Sequence, residues 1–168
     1  MKRFIKTLLS LAIAICPIWA FSKPIQYEIR VEKVECLKTS EYKSDEIYFS
    51  IKSVDDERKT DYYRIPKFPF HIPIKKDESV SDILLIKNSI NDNSSINFTI
   101  SLVENDISNF EMDDPLGSAT LTLHNKDGQL VSTWQSPEDG KKVDPPKFKM
   151  TGDNSDYIVQ FTVKEITK

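Results

Sequence analysis

The fold is decided by a stretch of strict alternation, Ile96-Asn97-Phe98-Thr99-Ile100-Ser101-Leu102. Apolar residues occupy every second position, and small polar residues fill the positions between them. Because successive side chains of a β-strand point to opposite faces, this pattern predicts a strand with one buried and one solvated face. Antiparallel sheets commonly have that arrangement.

The same alternation recurs on both sides of this stretch. Its apolar positions are Ile25, Tyr27, Ile29 and Val31; Ile47, Phe49 and Ile51; Ala119, Leu121 and Leu123; and Tyr157, Val159, Phe161 and Val163. Residues 23–168 show no sustained apolar stripe with helical spacing. Short alternating segments separated by turns predict an all-β protein, an antiparallel β-sandwich of about eight strands.

Turn and breaker residues refine this picture. The segment 126–129, Lys-Asp-Gly-Gln, is typical of a hairpin turn. Prolines 66, 69 and 73 predict that residues 64–74 form an interrupted edge rather than a central strand. The apolar run within residues 81–87 fits either a buried strand or a helical turn. We expect Trp134, at the end of a predicted strand, to be buried between the sheets or under the proline-rich segment.

Residues 1–22 have the pattern of a secretory signal peptide. Lys2, Arg3 and Lys6 form a basic segment, residues 8–15 are apolar, and small residues follow at positions 20 and 22. The apolar run is shorter than the roughly 20 residues that a membrane-spanning helix needs. We therefore expect an exported protein, secreted or periplasmic, whose residues 23–168 form a single domain without a transmembrane segment.

Composition narrows the functional classes. The whole chain has 23 basic and 26 acidic residues. Residues 1–22 contain three of the bases and none of the acids, so the remainder has a formal charge of 20 − 26 = −6. This charge disfavours nucleic-acid binding, which requires a basic field. Cys36 is then the only cysteine, which excludes an intrachain disulfide and a zinc site built from paired thiolates.

Motifs of enzymes are sparse. His71 and His124 lie outside any nucleophile motif, and we interpret them as ordinary surface or strand-end residues. The four glycines, at positions 117, 128, 140 and 152, are all interpreted as turn residues, so no phosphate-cradling loop is available. Paired carboxylates for glycoside hydrolysis stay open, because their spacing is spatial. We expect a monomer without catalytic activity.

Acidic residues concentrate in two predicted loops. One contains Glu41 and Asp45, and the other contains Glu104, Asp106, Asp113 and Asp114. Such carboxylates repel one another unless water, a cation or a basic partner compensates their charge. Calcium does so with oxygen ligands from flexible loops, and distant loops can meet at one end of a sandwich. The pattern therefore predicts a Ca²⁺ site, against the alternative that these acids simply solubilise loop tips.

Two of these segments resemble the C-two domains, the calcium- and lipid-binding modules of protein-kinase-C and synaptotagmin type. Ser44-Asp45-Glu46-Ile47-Tyr48-Phe49-Ser50 is similar to the Ser-Asp-Pro-Tyr-Val signature that follows their first calcium loop. Glu104-Asn105-Asp106 and Asp114-Pro115-Leu116-Gly117 are similar to their third-loop pattern. The resemblance covers residues 34–123 in outline. It implies an eight-stranded C-two-like sandwich that binds calcium and engages a lipid surface.

Besides an enzyme with carboxylate chemistry, these observations leave two binding functions open. The first is an exported C-two-like binding module that uses calcium and engages a lipid surface or a protein partner. The second is a metal-free secreted interaction or structural domain whose edge strand or proline-rich segment binds a partner.

Overall fold

The computed structural model describes residues 23–40, 44–105, 113–152 and 154–166. The predicted signal peptide, residues 1–22, lies outside the described residues, so it stays a prediction. In the described ranges the chain forms ten strands and no helix, and hence no helix long and apolar enough to cross a membrane. The strands are β1 Ile25–Lys38, β2 Asp45–Asp55, β3 Thr60–Ile65, β4 Ile72–Ile74, β5 Ser79–Ile90, β6 Ser95–Glu104, β7 Asp114–Lys126, β8 Gln129–Gln135, β9 Lys147–Gly152 and β10 Ser155–Glu165.

The strands form two antiparallel sheets, which confirms the predicted sandwich. The four-stranded sheet has the order β5-β1-β10-β9, and the six-stranded sheet has the order β3-β2-β6-β7-β8 with β4 also paired to β2. There are ten strands instead of about eight because two short segments, β4 and β9, also pair with their neighbours. Their alternation is too brief to stand out in the sequence.

The pairing of β2 with β6 turns the sequence alternation into a core. Phe49 lies opposite Leu102 and Ile51 lies opposite Ile100, and all four side chains are fully buried. Polar residues between them, such as Ser50, point away from the other sheet, and Ser50 is exposed. The alternation that predicted these strands therefore also identified their buried faces correctly.

The proline-rich segment interrupts one edge of the six-stranded sheet, as its prolines predict. β3 ends at Ile65, β4 begins at Ile72, and both pair with β2. Between them, residues 66–71 leave the sheet as a loop, which we call the proline-rich loop. The ambiguous run at residues 81–87 lies inside strand β5, so the helical alternative is wrong.

The connections of the sandwich gather at two ends. At one end lie the connections β1–β2, β4–β5, β6–β7 and β9–β10, which include both acidic segments, and we call it the acidic-loop end. At the opposite end, the far end, lie the connections β2–β3, β5–β6 and β7–β8.

Two glycines let the sheets approach each other closely at the acidic-loop end. A Cβ atom placed on Gly117 would lie 2.9 Å from the Cβ of Met150, and one on Gly152 would lie 3.1 Å from the Cα of Leu116. Gly117 lies inside β7, so its interpretation as a turn residue is wrong, and its lack of a side chain serves packing.

Trp134 links the two sheets, as expected from its position. Its ring on β8 stacks on Phe161 of β10 at a centroid distance of 4.9 Å and contacts Phe148 of β9 at 6.1 Å. Only 5% of the residue is exposed. Large buried aromatic side chains contribute strongly to the stability of such a core.

We predict that Trp134→Ala lowers the free energy of unfolding by about 3 kcal/mol or more, because it opens a cavity between the sheets. Urea denaturation followed by far-UV circular dichroism measures this, since the fluorescent probe is removed. Val131→Ala, at an exposed position of the same strand, is the control and should cost less than about 1 kcal/mol. Equal losses in the two variants would contradict the proposed role of the ring stack.

Candidate functional site

Asp45 lies buried inside the acidic-loop end. It is the first residue of β2 and precedes Ile47 by two positions, so it lies on the inward face of the strand. Its Oδ2 atom accepts a hydrogen bond of 2.8 Å from Ser155 Oγ and another from the Tyr157 hydroxyl. Charge-assisted hydrogen bonds of this kind offset much of the cost of burying a carboxylate.

Glu104 is the second buried carboxylate at this end. It ends β6 and lies opposite Ile47 of β2, which also places it on the inward face. Ser40 Oγ donates to Glu104 Oε1 and also lies 3.4 Å from Asp45 Oδ1. Since a serine hydroxyl has one hydrogen, it can donate to only one of the two carboxylates at a time. The structure thus brings together two predicted site residues from distant loops, with Ser40 between them.

Tyr157 and Cys36 complete the buried polar cluster. They lie opposite each other in the pairing of β1 with β10. Burial, and then the hydrogen bond to Asp45, raise the pKa of the Tyr157 hydroxyl well above its usual range, so it remains a neutral donor. Burial also raises the pKa of the Cys36 thiol, which is typical of an unreactive structural cysteine.

The remaining predicted ligands lie elsewhere or outside the described residues. Asp113 is exposed, and its Oδ2 accepts a 2.7 Å hydrogen bond from the Tyr48 hydroxyl. Burial, followed by that bond, raises the pKa of Tyr48 to about 12. Asp114 is half-buried and lies opposite Glu104 in the strand pairing of β6 with β7. Glu41 and Asp106 lie outside the described residues.

In the part of the chain that the structure describes, no three His, Cys, Asp or Glu side chains converge as a metal would require. The calcium site therefore stays a prediction, and it depends on Glu41 and Asp106.

Sequence reasoning missed the donors that hold Asp45. The apolar alternation of its strand predicts only a core position for Tyr157, and no sequence pattern marks Ser155 as a hydrogen-bond donor. Both lie more than a hundred positions from Asp45, in the last strand of the other sheet. A buried tyrosine usually has a hydrogen-bond partner for its hydroxyl. The inward position of Tyr157 at the start of a strand therefore indicates that a polar partner lies near the end of the sandwich.

The proline-rich loop forms a second notable surface at the same end of the sandwich. Its Phe68 and Phe70 side chains are 80% and 69% exposed. Arg64 holds the loop from inside: its Nη1 atom donates to the carbonyl oxygens of Phe70 at 2.8 Å and Pro66 at 3.3 Å. The guanidinium also lies 3.8 Å from the centre of the Tyr48 ring.

The loop is also tied to the neighbouring acidic segments. Arg64 Nη2 donates to Asn105 Oδ1 at 3.4 Å, at the start of the β6–β7 connection. His71 Nε2 lies 3.0 Å from Glu46 Oε1. The aromatic tip thus has a fixed base, although its side chains face solvent.

Comparison with known proteins assigns no family, because no family model and no curated protein matches the chain. The resemblance to C-two domains therefore rests on the two short motifs alone.

We predict that Tyr157→Phe lowers the free energy of unfolding at neutral pH by about 1–3 kcal/mol, because the Asp45 carboxylate loses a buried donor. The raised pKa adds a pH dependence. The unfolded chain loses the tyrosine proton above about pH 10, whereas the folded chain keeps it. The stability linked to Tyr157 is therefore full below about pH 10 and falls above it by up to about 1.4 kcal/mol per pH unit.

Urea denaturation at about pH 8 and about pH 11 tests this linkage. Tyr157→Phe should show a shallower alkaline decline than the wild type. Tyr62→Phe removes the same hydroxyl at an exposed position and should decline as the wild type does. Identical declines in all three proteins would show that Tyr157 ionises as freely in the folded state as in the unfolded state.

Proposed function

We propose that this chain is an exported binding module that contacts a protein partner through the proline-rich loop, and that the contact requires no metal. The observation that carries the proposal is the exposure of Phe68 and Phe70 on a loop that Arg64 fastens to the sheet. Single exposed apolar residues are ordinary, but two nearly solvated phenylalanines on one anchored tip are typical of an interaction surface.

The anchoring of the loop favours binding. Arg64 makes hydrogen bonds to two loop carbonyls, and the Phe70 amide donates to the Lys67 carbonyl at 2.9 Å. A loop that is already ordered loses less conformational entropy when a partner binds. The two aromatic side chains can therefore contribute more of their contact energy to affinity.

The residues around the loop have the composition of an interaction hot spot. Tyr62 is exposed on the adjoining strand, and the Arg64 guanidinium lies between Tyr48 and Phe68, 5.7 Å from the centre of the Phe68 ring. Aromatic residues and arginine are enriched at the centres of protein interfaces. Phe68, Phe70 and Tyr62 are therefore the anchors that we expect a partner to cover.

The charges of this end favour a protein over a membrane. Residues 23–168 have a formal charge of −6. In and beside the loop and the β4–β5 and β6–β7 connections, the described residues include five acids, Glu46, Asp77, Glu78, Asp113 and Asp114, which outnumber the three exposed bases Lys67, Lys75 and Lys76. An anionic lipid surface would repel this end, whereas a basic or neutral protein surface would not.

We predict that a photo-crosslinking amino acid at position 68 forms a discrete adduct with another protein in the native cells. The same group at Leu84, an exposed apolar position on the four-stranded sheet, is the control and should form none. Phe70→Ser should remove the adduct while changing the free energy of unfolding by less than about 0.5 kcal/mol, because that side chain is mostly solvated.

Two results would contradict this function. One is equal labelling from positions 68 and 84, which would indicate non-specific collisions. The other is a lipid adduct, together with loss of vesicle sedimentation in Phe70→Ser, which would assign the loop to a membrane.

A second candidate function is calcium-dependent engagement of a lipid surface. The specific observation in its favour is that the strand ends that flank the two acidic segments lie together, where Ser40 Oγ donates to Glu104 and lies 3.4 Å from Asp45. Calcium bound there by further oxygens of the connecting segments would reverse the local charge and remove the electrostatic objection to anionic lipid.

For this candidate we predict that calcium raises the melting temperature, equivalent to about 2.7 kcal/mol at a hundred times the dissociation constant. The titration must reach about 10 mM calcium, since extracellular sites can be weak, with magnesium at equal ionic strength beside it. Asp106→Asn should abolish the shift, and Asp127→Asn, in the hairpin at the far end, should leave it intact. A flat melting temperature would eliminate this candidate and leave the metal-free module unaffected.

A further inference from the structure

A cavity opens between the two sheets at the far end of the sandwich, away from the acidic loops and the proline-rich loop. Its volume is about 250 Å³, and strands β1 and β5 of one sheet and β2, β3 and β6 of the other contribute to its walls. Ile86, Ile90 and Phe98 form an apolar part of the wall, and all three are buried. A cavity of this size is slightly smaller than the usual small-molecule site, so it accepts only a small ligand.

The wall of the cavity contains an unpaired phenol. Tyr27 is 0% exposed, and its hydroxyl has no hydrogen-bond partner among the residues that the structure describes. Buried polar atoms almost always have one, so such an atom beside a cavity indicates that something in the cavity completes its bonding. Burial, together with the nearby Tyr63, raises the pKa of Tyr27, so the hydroxyl stays neutral.

The charges at the cavity indicate the sign of its ligand. The described residues that line it include four acids, Asp55, Asp56, Glu57 and Asp61, and one cation, Lys59, which gives a formal charge of 1 − 4 = −3. Lys59 lies 3.8 Å from Asp61, and its side chain does not balance the other three acids.

Asp56 in particular is held in its charged form. Its Oδ2 atom accepts a 2.6 Å hydrogen bond from the Ser95 amide, and its other oxygen accepts one from the Ser95 hydroxyl. These bonds lower the pKa of the carboxyl. An anionic ligand would meet uncompensated negative charge here, and a cation would be attracted.

A metal ion fits the cavity less well than an organic cation. Among the described residues no three carboxylates converge as a metal requires, and the apolar wall offers no ligand atoms. Carboxylates beside an apolar wall are instead suited to an ammonium group on an apolar chain, because the charge pairs with the carboxylates and the chain packs against the wall.

We propose that this cavity binds a small organic cation: an ammonium group on a short apolar chain. The ammonium donates hydrogen bonds to the carboxylates and to the Tyr27 hydroxyl oxygen, and the chain packs against Ile90 and Phe98. This site is distinct from the one proposed for the proline-rich loop, because none of the residues that line the cavity belongs to residues 66–71.

Three probes of equal length test the site: n-butylamine, 1-butanol and butyrate, each titrated into the ¹⁵N-labelled protein and followed by NMR. We expect the amine to shift the amide signals of Ser94 and Ser95 saturably, with a dissociation constant on the order of 1 mM. The alcohol should bind about tenfold or more weakly, and butyrate should not shift these signals. Equal binding of amine and alcohol would overturn the proposal, because charge would then play no part.

Two variants assign the binding to named groups. Tyr27→Phe should weaken the amine by about threefold to tenfold, yet melt at the same or a higher temperature, because it removes an unpaired buried hydroxyl. Tyr157→Phe, which removes a buried hydroxyl at the acidic-loop end, is its control and should bind the amine as the wild type does. Asp61→Asn should also weaken the amine, whereas Asp127→Asn, outside the cavity lining, should not. Wild-type affinity in both Tyr27→Phe and Asp61→Asn would overturn the proposal and leave water as the partner of the hydroxyl.

Discussion

The register of β2 against β6 is the constraint on which the rest of the molecule depends. With Phe49 opposite Leu102, every odd-numbered residue at the start of β2 points into the sandwich. A slip of one residue would turn the whole apolar set outward, so the core fixes this register strongly. The same register directs Asp45 inward, and it directs Tyr48 outward toward Arg64 and Asp113. Packing energy thus determines which acidic residue is buried and which faces solvent.

Burying Asp45 and Glu104 requires partners, and the four-stranded sheet provides several of them. Ser155 and Tyr157 are at the start of β10 and reach Asp45 across the gap between the sheets, while Ser40 reaches both carboxylates from the β1–β2 connection. The acidic-loop end is therefore held together by hydrogen bonds where the middle of the sandwich is held by apolar contacts. Removing one donor there leaves a buried carboxylate less well satisfied, which costs more than the loss of a solvent-exposed bond.

The sequence predicted the features that local pattern controls. Alternation located Ile100 and Leu102 in the core, and the prolines located the interrupted edge at residues 64–74. The sequence also anticipated that Asp45 and Glu104, which are distant along the chain, would lie at the same end, since a sandwich has only two ends. It could not show that Ser155 and Tyr157 bond to Asp45, because those contacts join residues more than a hundred positions apart. The cavity beside Tyr27 could not be predicted from the sequence either, since its walls come from five strands. In the sequence, Tyr27 has the same alternating pattern as any other core tyrosine.

The close contact between β7 and β9 restricts which substitutions the acidic-loop end can accept. Gly117 and Gly152 each face the backbone or Cβ of the opposite strand at about 3 Å, so neither position accepts a side chain without separating the sheets. An insertion in the β6–β7 connection would precede Gly117 in the chain and would leave both glycine contacts in place. Over evolutionary time, that connection can therefore change in length and charge and acquire new ligands, while the paired glycines stay fixed and keep the scaffold beneath it unchanged.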